Sequence, residues 1–228
     1  MAPLRICVYG SSSRQTPQEY YDAAYELGKH VAEKGDILVN GGGRYGTMGA
    51  MNIGCREAGG KIVAVIHERF VVDGGVEFKD VDEMIVCGGE DLQERKKLLI
   101  DNSDCILVMP GGLGTLDEFC EALCMRQLHF QKMPIAIVNV GGYYDHLVAH
   151  LHRCKETKLL HQEVKDLVYV ADTAEDAIAW CRKEAAEVAT GEVYVQKRLR
   201  PRFWIASLTA LAVVEASIIG YLLSRRRS

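Results

Sequence analysis

Glu118 sits one helical turn beyond a glycine-rich turn, and that placement is the strongest chemical signal in the chain. The run Pro110-Gly111-Gly112-Leu113-Gly114-Thr115-Leu116-Asp117-Glu118 follows an apolar, strand-like stretch over 105–109 and opens a helix-like stretch over 115–127. A glycine turn between a buried strand and a helix exposes backbone N–H groups at the positive end of that helix, which suits a phosphate. The glycines let the backbone approach an anion without a Cβ in the way, and Thr115 can cap the helix or offer its hydroxyl. A carboxylate beside a phosphate cradle is electrostatically costly. Glu118 is therefore either a capping glutamate favoured by the helix dipole or an acid with a chemical task.

Other small-residue turns belong with this one. Gly41-Gly42-Gly43-Arg44-Tyr45-Gly46-Thr47-Met48-Gly49 follows the apolar run 37–39, and Gly10-Ser11-Ser12-Ser13 follows the first strand-like run. Three strand–turn–helix junctions line up along one edge of a parallel sheet, where ligands of open α/β folds bind. The cations Arg95-Lys96-Lys97 fall in the first turn of a further helix-like segment, where they oppose the dipole and gain nothing locally. The glycine spacings are not G-x-G-x-x-G with a downstream acid, so a dinucleotide cofactor is not expected. No metal or redox cofactor is expected either.

The elements that must carry these residues alternate. Strands are expected at 4–9, 37–40, 62–65, 84–86, 105–109, 134–138 and 167–170. Helices are expected at 18–34, 50–58, 92–103, 115–127, 143–154 and 173–188. Such alternation argues for βαβ units, an α/β fold with a mainly parallel sheet and helices on both faces. With 228 residues and 48% hydrophobic content the chain can bury one sizeable core, placed at residues 1–190. Its eight cysteines form no C-x-x-C pair and are read as reduced, buried thiols, Cys120 and Cys124 included. His146 and His150 share a helix face near His152, but H-E-x-x-H is absent and no metal site is expected.

Together the residues resemble the Lonely guy family of cytokinin riboside 5′-monophosphate phosphoribohydrolases, often labelled "lysine decarboxylase". The resemblance spans about the first 150 residues. It rests on Val8-Tyr9-Gly10-Ser11-Ser12, the triple-glycine loop ending Met48-Gly49, Glu94-Arg95-Lys96, the PGGxGTxxE run and Val138-Asn139-Val140-Gly141-Gly142-Tyr143-Tyr144. It implies a Rossmann-like, doubly wound fold, a homodimer or larger homo-oligomer, and a nucleoside 5′-monophosphate as substrate. By resemblance Arg95 and Glu118 are catalytic, and Lys96, Gly111, Gly112, Leu113, Gly114, Thr115, Leu116 and Asp117 bind the nucleotide. Ser11, Gly42, Gly43 and Cys124 complete the expected binding set. The chain departs from the family pattern at Gln93, Thr47, Cys124-Met125 and His67-Glu68-Arg69-Phe70. These positions are expected to border the base pocket, so that unmodified purines are accepted beside N6-substituted ones.

The implied reaction suits the residues. Breaking an N-glycosidic bond builds positive charge on the ribose, which a fixed carboxylate can stabilise while orienting hydroxyls or activating water. The glycine loop would hold the 5′-phosphate and set its distance to the scissile bond. Arg95 would either touch the phosphate or hold Glu118 ionised. Two other readings are a broad AMP nucleosidase and a carrier that holds a phosphorylated ligand without turning it over.

The C-terminal end reads differently. Residues 203–223 are apolar with one charge, Glu215, behind a basic linker at 191–202 and before Arg225-Arg226-Arg227. As a helix the stretch would be about 31 Å long, roughly the hydrocarbon thickness of a bilayer. Ala212, Ala216 and Gly220 repeat at the spacing that lets membrane helices approach closely. A transmembrane anchor is therefore expected, with the catalytic domain in the cytosol; the alternatives are an interfacial helix and a helix that packs on protein in a dimer. Residues 196–228 hold 7 of the 27 Lys and Arg and 1 of the 31 acids, leaving 20 − 30 = −10 on the rest. An acidic domain argues against nucleic acid as a partner.

Overall fold

The computed structural model describes residues 2–72 and 75–190. The linker and anchor expected at 191–202 and 203–223 lie outside the described residues. Among the described residues no helix is long and apolar enough to cross a membrane.

Seven strands form one sheet in the order β4-β3-β2-β1-β5-β6-β7. They are β1 (Arg5–Tyr9), β2 (Ile37–Asn40), β3 (Lys61–His67), β4 (Glu83–Cys87), β5 (Cys105–Val108), β6 (Ile135–Val138) and β7 (Tyr169–Ala171). Every neighbouring pair is parallel. Central strands such as β5 and β6 are buried at every position, as a sheet covered on both faces requires. The chain moves outward from β1 to β4, then returns to β5 on the other side of β1. That reversal is the switch point of a doubly wound fold.

Strand residues alternate between two cores. Ile6, Val8, Leu38, Ile62 and Leu107 face α1 (Gln18–Glu33), α2 (Gly46–Glu57) and α8 (Ala174–Thr190). Cys7, Tyr9, Val39, Val63, Ile106 and Val108 face α4 (Gln93–Asp101), α5 (Leu113–Gln127), α6 (Asp145–Glu156) and α7 (Val164–Leu167). The five-residue α3 (Glu68–Val72) follows β3 directly.

Element ends moved where packing outweighs local propensity. α2 starts at Gly46 rather than at residue 50, despite glycines at 46, 49 and 54. Those glycines lower helix propensity, but Gly46 lies against the Ser11 backbone and Gly49 against Arg44, while Gly54 of α2 and Gly28 of α1 let the two helices touch backbone to backbone. A Cβ on Gly28 would lie 1.9 Å from Met51 O, and one on Gly54 would lie 2.1 Å from Tyr25 O. Leu167, expected in the last strand, instead closes α7, and β7 begins two residues later.

Candidate active site

A cleft of about 380 Å³ opens at the ends of the strands around the switch point. Its polar wall comes from Gly10–Ser13 after β1, Gly41 and Gly43 after β2, and Gly112, Gly114, Thr115 and Glu118 on the β5–α5 junction. Arg95 of α4 closes it from the side, and Met48, Ile66, Phe70, Val76 and Leu92 give the opposite wall an apolar character. The first two loops are tied together: Ser11 N–H donates to Thr47 Oγ1 at 2.7 Å, and Met48 N–H to Ser11 O at 3.1 Å. A buried amide network shapes the triple-glycine loop. Asn40 Nδ2 donates to Asn52 Oδ1 at 2.6 Å, Asn52 Nδ2 to Gly43 O at 3.2 Å, and Gly42 N–H to Asn40 Oδ1 at 2.8 Å. Asn40 and Asn52 escaped the sequence reading because their bonds exist only once β2 meets α2.

Arg95 and Glu118, 23 residues apart in sequence, meet at 2.8 Å between Nη1 and Oε1. Both side chains are about nine-tenths buried, at 10% and 12% exposure. Arg95 Nε also donates to Val65 O at 3.1 Å, and Nη2 reaches Gly41 O at 3.5 Å. The guanidinium thus joins β3, the β2 loop and α5. A Cβ on Gly41 would fall 2.0 Å from Nη2, so only glycine leaves it room. Among the described residues Glu118 Oε2 takes no hydrogen bond, while its residue lines the cleft. Of the two contacts expected for Arg95, the one with Glu118 is made by the protein alone.

Burial pushes the Glu118 carboxyl above its ordinary value of 4.5, and Arg95 pulls the other way without cancelling it. A group needed ionised loses function as pH falls through its pKa. The acidic limb of kcat/KM, which reports groups in the free enzyme, should therefore lie above 4.5. Residual activity of Arg95→Ala should show that limb displaced further upward, because the cation that lowers the pKa is gone. A pH profile of kcat/KM on both proteins checks this; a limb at or below 4.5 contradicts it.

Not every expected binding residue reaches the cleft. Lys96 is 5% exposed, but its Nζ lies 3.1 Å from Asp117 Oδ2 and also pairs with Glu121, clamping α4 to α5. Burial would lower its pKa, yet the hydrogen bonds to Glu121 and Asp117 raise it, so the ammonium stays charged. The clustered cations thus find carboxylates: Arg95 and Lys96 across on α5, and Lys97 on Asp101 of its own helix. Leu113 is exposed, Leu116 packs against the core beside α5, and Gly42 is buried with φ +71 beneath the loop. Gly111 also stands outside the lining. Cys120 and Cys124, expected in the core, are both exposed, while Met125 packs partly into it. The buried face of α5 is instead Thr115, Phe119, Ala122, Leu123 and Arg126. All eight cysteines are free thiols. Among the described residues no group of three or more His, Cys, Asp and Glu could hold a metal.

The phosphate-type loop distinguishes its glycines by space. The helix N-cap is Gly112, with no side-chain cap, so the first-turn N–H groups of α5 are left for a ligand; Thr115, expected as a cap, sits inside that turn. A Cβ on Gly111 would lie 2.1 Å from Thr115 Oγ1, whereas one on Gly112 or Gly114 meets nothing within 4 Å. Glycine at 114 is therefore required by no neighbour in the protein. Gly114→Ala should melt no lower than wild type, because alanine favours a helix by roughly 0.5–1 kcal/mol. The same change should weaken AMP binding several-fold by placing a methyl group in the cleft. Thermal melts and calorimetric titration of AMP decide this; unchanged affinity contradicts it.

A parallel doubly wound sheet with glycine-rich loops, an uncapped helix N-terminus and a held carboxylate at its switch point defines a Rossmann-like protein. The chain belongs to the Lonely guy family: the family model described as "Possible lysine decarboxylase" matches residues 48–181. A cytokinin riboside 5′-monophosphate phosphoribohydrolase LOG of Oryza sativa subsp. japonica is 30% identical over 190 residues, covering 83% of this chain and 77% of that one. LOG5 of Arabidopsis thaliana, with the same description, is 30% identical over 174 residues, covering 76% and 75%. Among solved structures, the Moco carrier protein of Chlamydomonas reinhardtii is 26% identical with TM-score 0.60, covering 82% of this chain and 99% of that one. A molybdenum cofactor binding protein from Rippkaea orientalis shares the fold at 23% identity and TM-score 0.61, covering 80% and 98%.

Proposed function

We propose that the protein hydrolyses the N-glycosidic bond of a purine nucleoside 5′-monophosphate, N6-substituted ones included, giving free base and ribose 5-phosphate. The observation that carries this reading is the Arg95–Glu118 pair, held at 2.8 Å in the same cleft as an uncapped helix N-terminus. The phosphate would sit on the N–H groups at the head of α5, and the ribose over Glu118. As the C1′–N9 bond breaks, its electrons leave with the base, which takes a proton from solvent, and Glu118 later returns to solvent the proton it gains from the attacking water. Glu118 offsets the charge developing on the ribose and receives the proton of the attacking water, whose oxygen bonds to C1′. Arg95 keeps the carboxylate ionised and aimed. The apolar wall of Met48, Ile66, Phe70, Val76 and Leu92 suits a purine and an apolar N6 substituent.

The structural kinship with proteins named as molybdenum cofactor carriers favours a second reading, in which a phosphorylated ligand is held without turnover. Incubation with AMP and with N6-isopentenyl-AMP, followed by chromatography, separates the readings. Free base with ribose 5-phosphate supports hydrolysis, and the ratio of the two rates gives the base preference. Saturable binding with no product from either nucleotide supports the carrier.

The working unit is taken as a homo-oligomer from the family resemblance. The apolar stretch at 203–223 is taken as a membrane anchor on its sequence alone. Full-length protein should accordingly resist carbonate extraction, and a form truncated before Gln196 should not; equal release of both removes the anchor.

A further inference from the structure

Tyr143 and Tyr144 take no part in the chemistry above, yet both hydroxyls end on the backbone of the phosphate-type loop. Tyr144 Oη donates to Met109 O at 2.8 Å, and Tyr143 Oη donates to Gly111 O at 2.8 Å. The two carbonyls flank Pro110, at the point where β5 turns toward α5. The tyrosines come from the far side of β6 and are set firmly. Gly141 and Gly142 turn the chain with φ of +57 and +73, and Asn139 Oδ1 accepts the Tyr144 N–H at 2.7 Å. Tyr144 is 2% exposed; the Tyr143 ring packs edge-on against Tyr144 at 4.8 Å and against Tyr20 at 5.3 Å.

The peptide unit between Gly111 and Gly112 has a glycine on each side, so rotating it meets little steric resistance. Its direction matters. In a trans peptide the carbonyl and the following N–H point opposite ways, so fixing Gly111 O fixes the Gly112 N–H. Gly112 lines the cleft and Tyr143 does not, so a carbonyl bound to Tyr143 points away from the ligand. The reversed peptide would turn a carbonyl oxygen toward the phosphate, replacing an attraction with a repulsion.

We propose that Tyr143, seated by Tyr144, is a positioning residue that locks the Gly111–Gly112 peptide with its N–H toward the ligand phosphate. The cleft's preference for phosphorylated over unphosphorylated nucleosides then depends on a hydroxyl outside it. The inference rests on the proposed seat of the phosphate at the head of α5. Tyr143 is 42% exposed, so Tyr143→Phe removes the hydroxyl without opening the core.

The test is calorimetric titration of the full chain and of Tyr143→Phe with AMP and with adenosine, alongside thermal melts and steady-state kinetics. Loss of one neutral hydrogen bond predicts a Kd for AMP raised roughly threefold to tenfold, with adenosine unchanged and KM rising while kcat holds. Equal weakening of AMP and adenosine, or AMP affinity identical to wild type, overturns the proposal. A wild-type protein that binds AMP no better than adenosine removes instead the phosphate seat on which it rests. Tyr144→Phe serves as the contrast: its buried hydroxyl should lower the melting temperature more than that of Tyr143, and unchanged AMP discrimination there combined with loss in Tyr143→Phe supports the lock.

Discussion

Glu118→Gln should leave the protein folded and able to hold a nucleotide while kcat falls by at least about two orders of magnitude, or about 2.7 kcal/mol of transition-state stabilisation. The amide keeps an oxygen for Arg95 Nη1, and Arg95 keeps its bonds to Val65 O and Gly41 O. Burial already disfavours the charged carboxylate, so neutralising it removes a penalty as well as an attraction. What disappears is the negative charge beside the ribose, which matters only as positive charge develops there. Steady-state kinetics with a parallel AMP titration measures both halves. Turnover near the wild-type rate would make Glu118 a structural partner of Arg95 and nothing more.

Arg95→Ala should be far more damaging to the fold. It leaves Glu118, 12% exposed, without its hydrogen-bonded cation and with only the more distant Lys96, and it unties β3 and the β2 loop from α5. Breaking a buried pair from one side costs about 3–5 kcal/mol. The double variant Arg95→Ala/Glu118→Gln should recover part of that loss, since no uncompensated charge remains. Urea unfolding of the two single variants and the double one gives the coupling. If Arg95→Ala is as stable as wild type, the pair contributes nothing to holding the cleft.

The contact between Arg95 and Glu118 was within reach of the sequence, because the glycine run fixes where Glu118 falls on its helix and because Arg95 had no local reason to open one. Lys96 was not: adjacent cations in one first turn look alike until α5 supplies Asp117 and Glu121 as partners. Cys120 and Cys124 read as core residues by type, but the rotation of α5 is set by Phe119 and Leu123, and this turns both thiols outward. The alternation of strands and helices was visible throughout, since buried parallel strands are nearly continuous apolar runs. The start of α2 was obscured by Gly46 and Gly49, whose missing side chains leave room for the backbone of Ser11 and of Arg44. The Tyr143-Tyr144 motif stood out in sequence, but its contacts with carbonyls 32 and 35 residues earlier exist only in the fold.

The clamp between α4 and α5 also sets how ligands arrive and leave. Asp117, Glu118 and Glu121 carry three negative charges, and Arg95 and Lys96 return two of them. A phosphate bound as proposed approaches a cleft of mixed charge, with Arg14 and Arg44 stacked on Tyr45 beside it, on a domain whose own charge over residues 1–195 is −10 by sequence. Long-range steering cannot speed that encounter, and added salt, by screening the repulsion, should quicken it. Retention on the proposed seat then falls to short-range hydrogen bonds at the head of α5, which act only on contact.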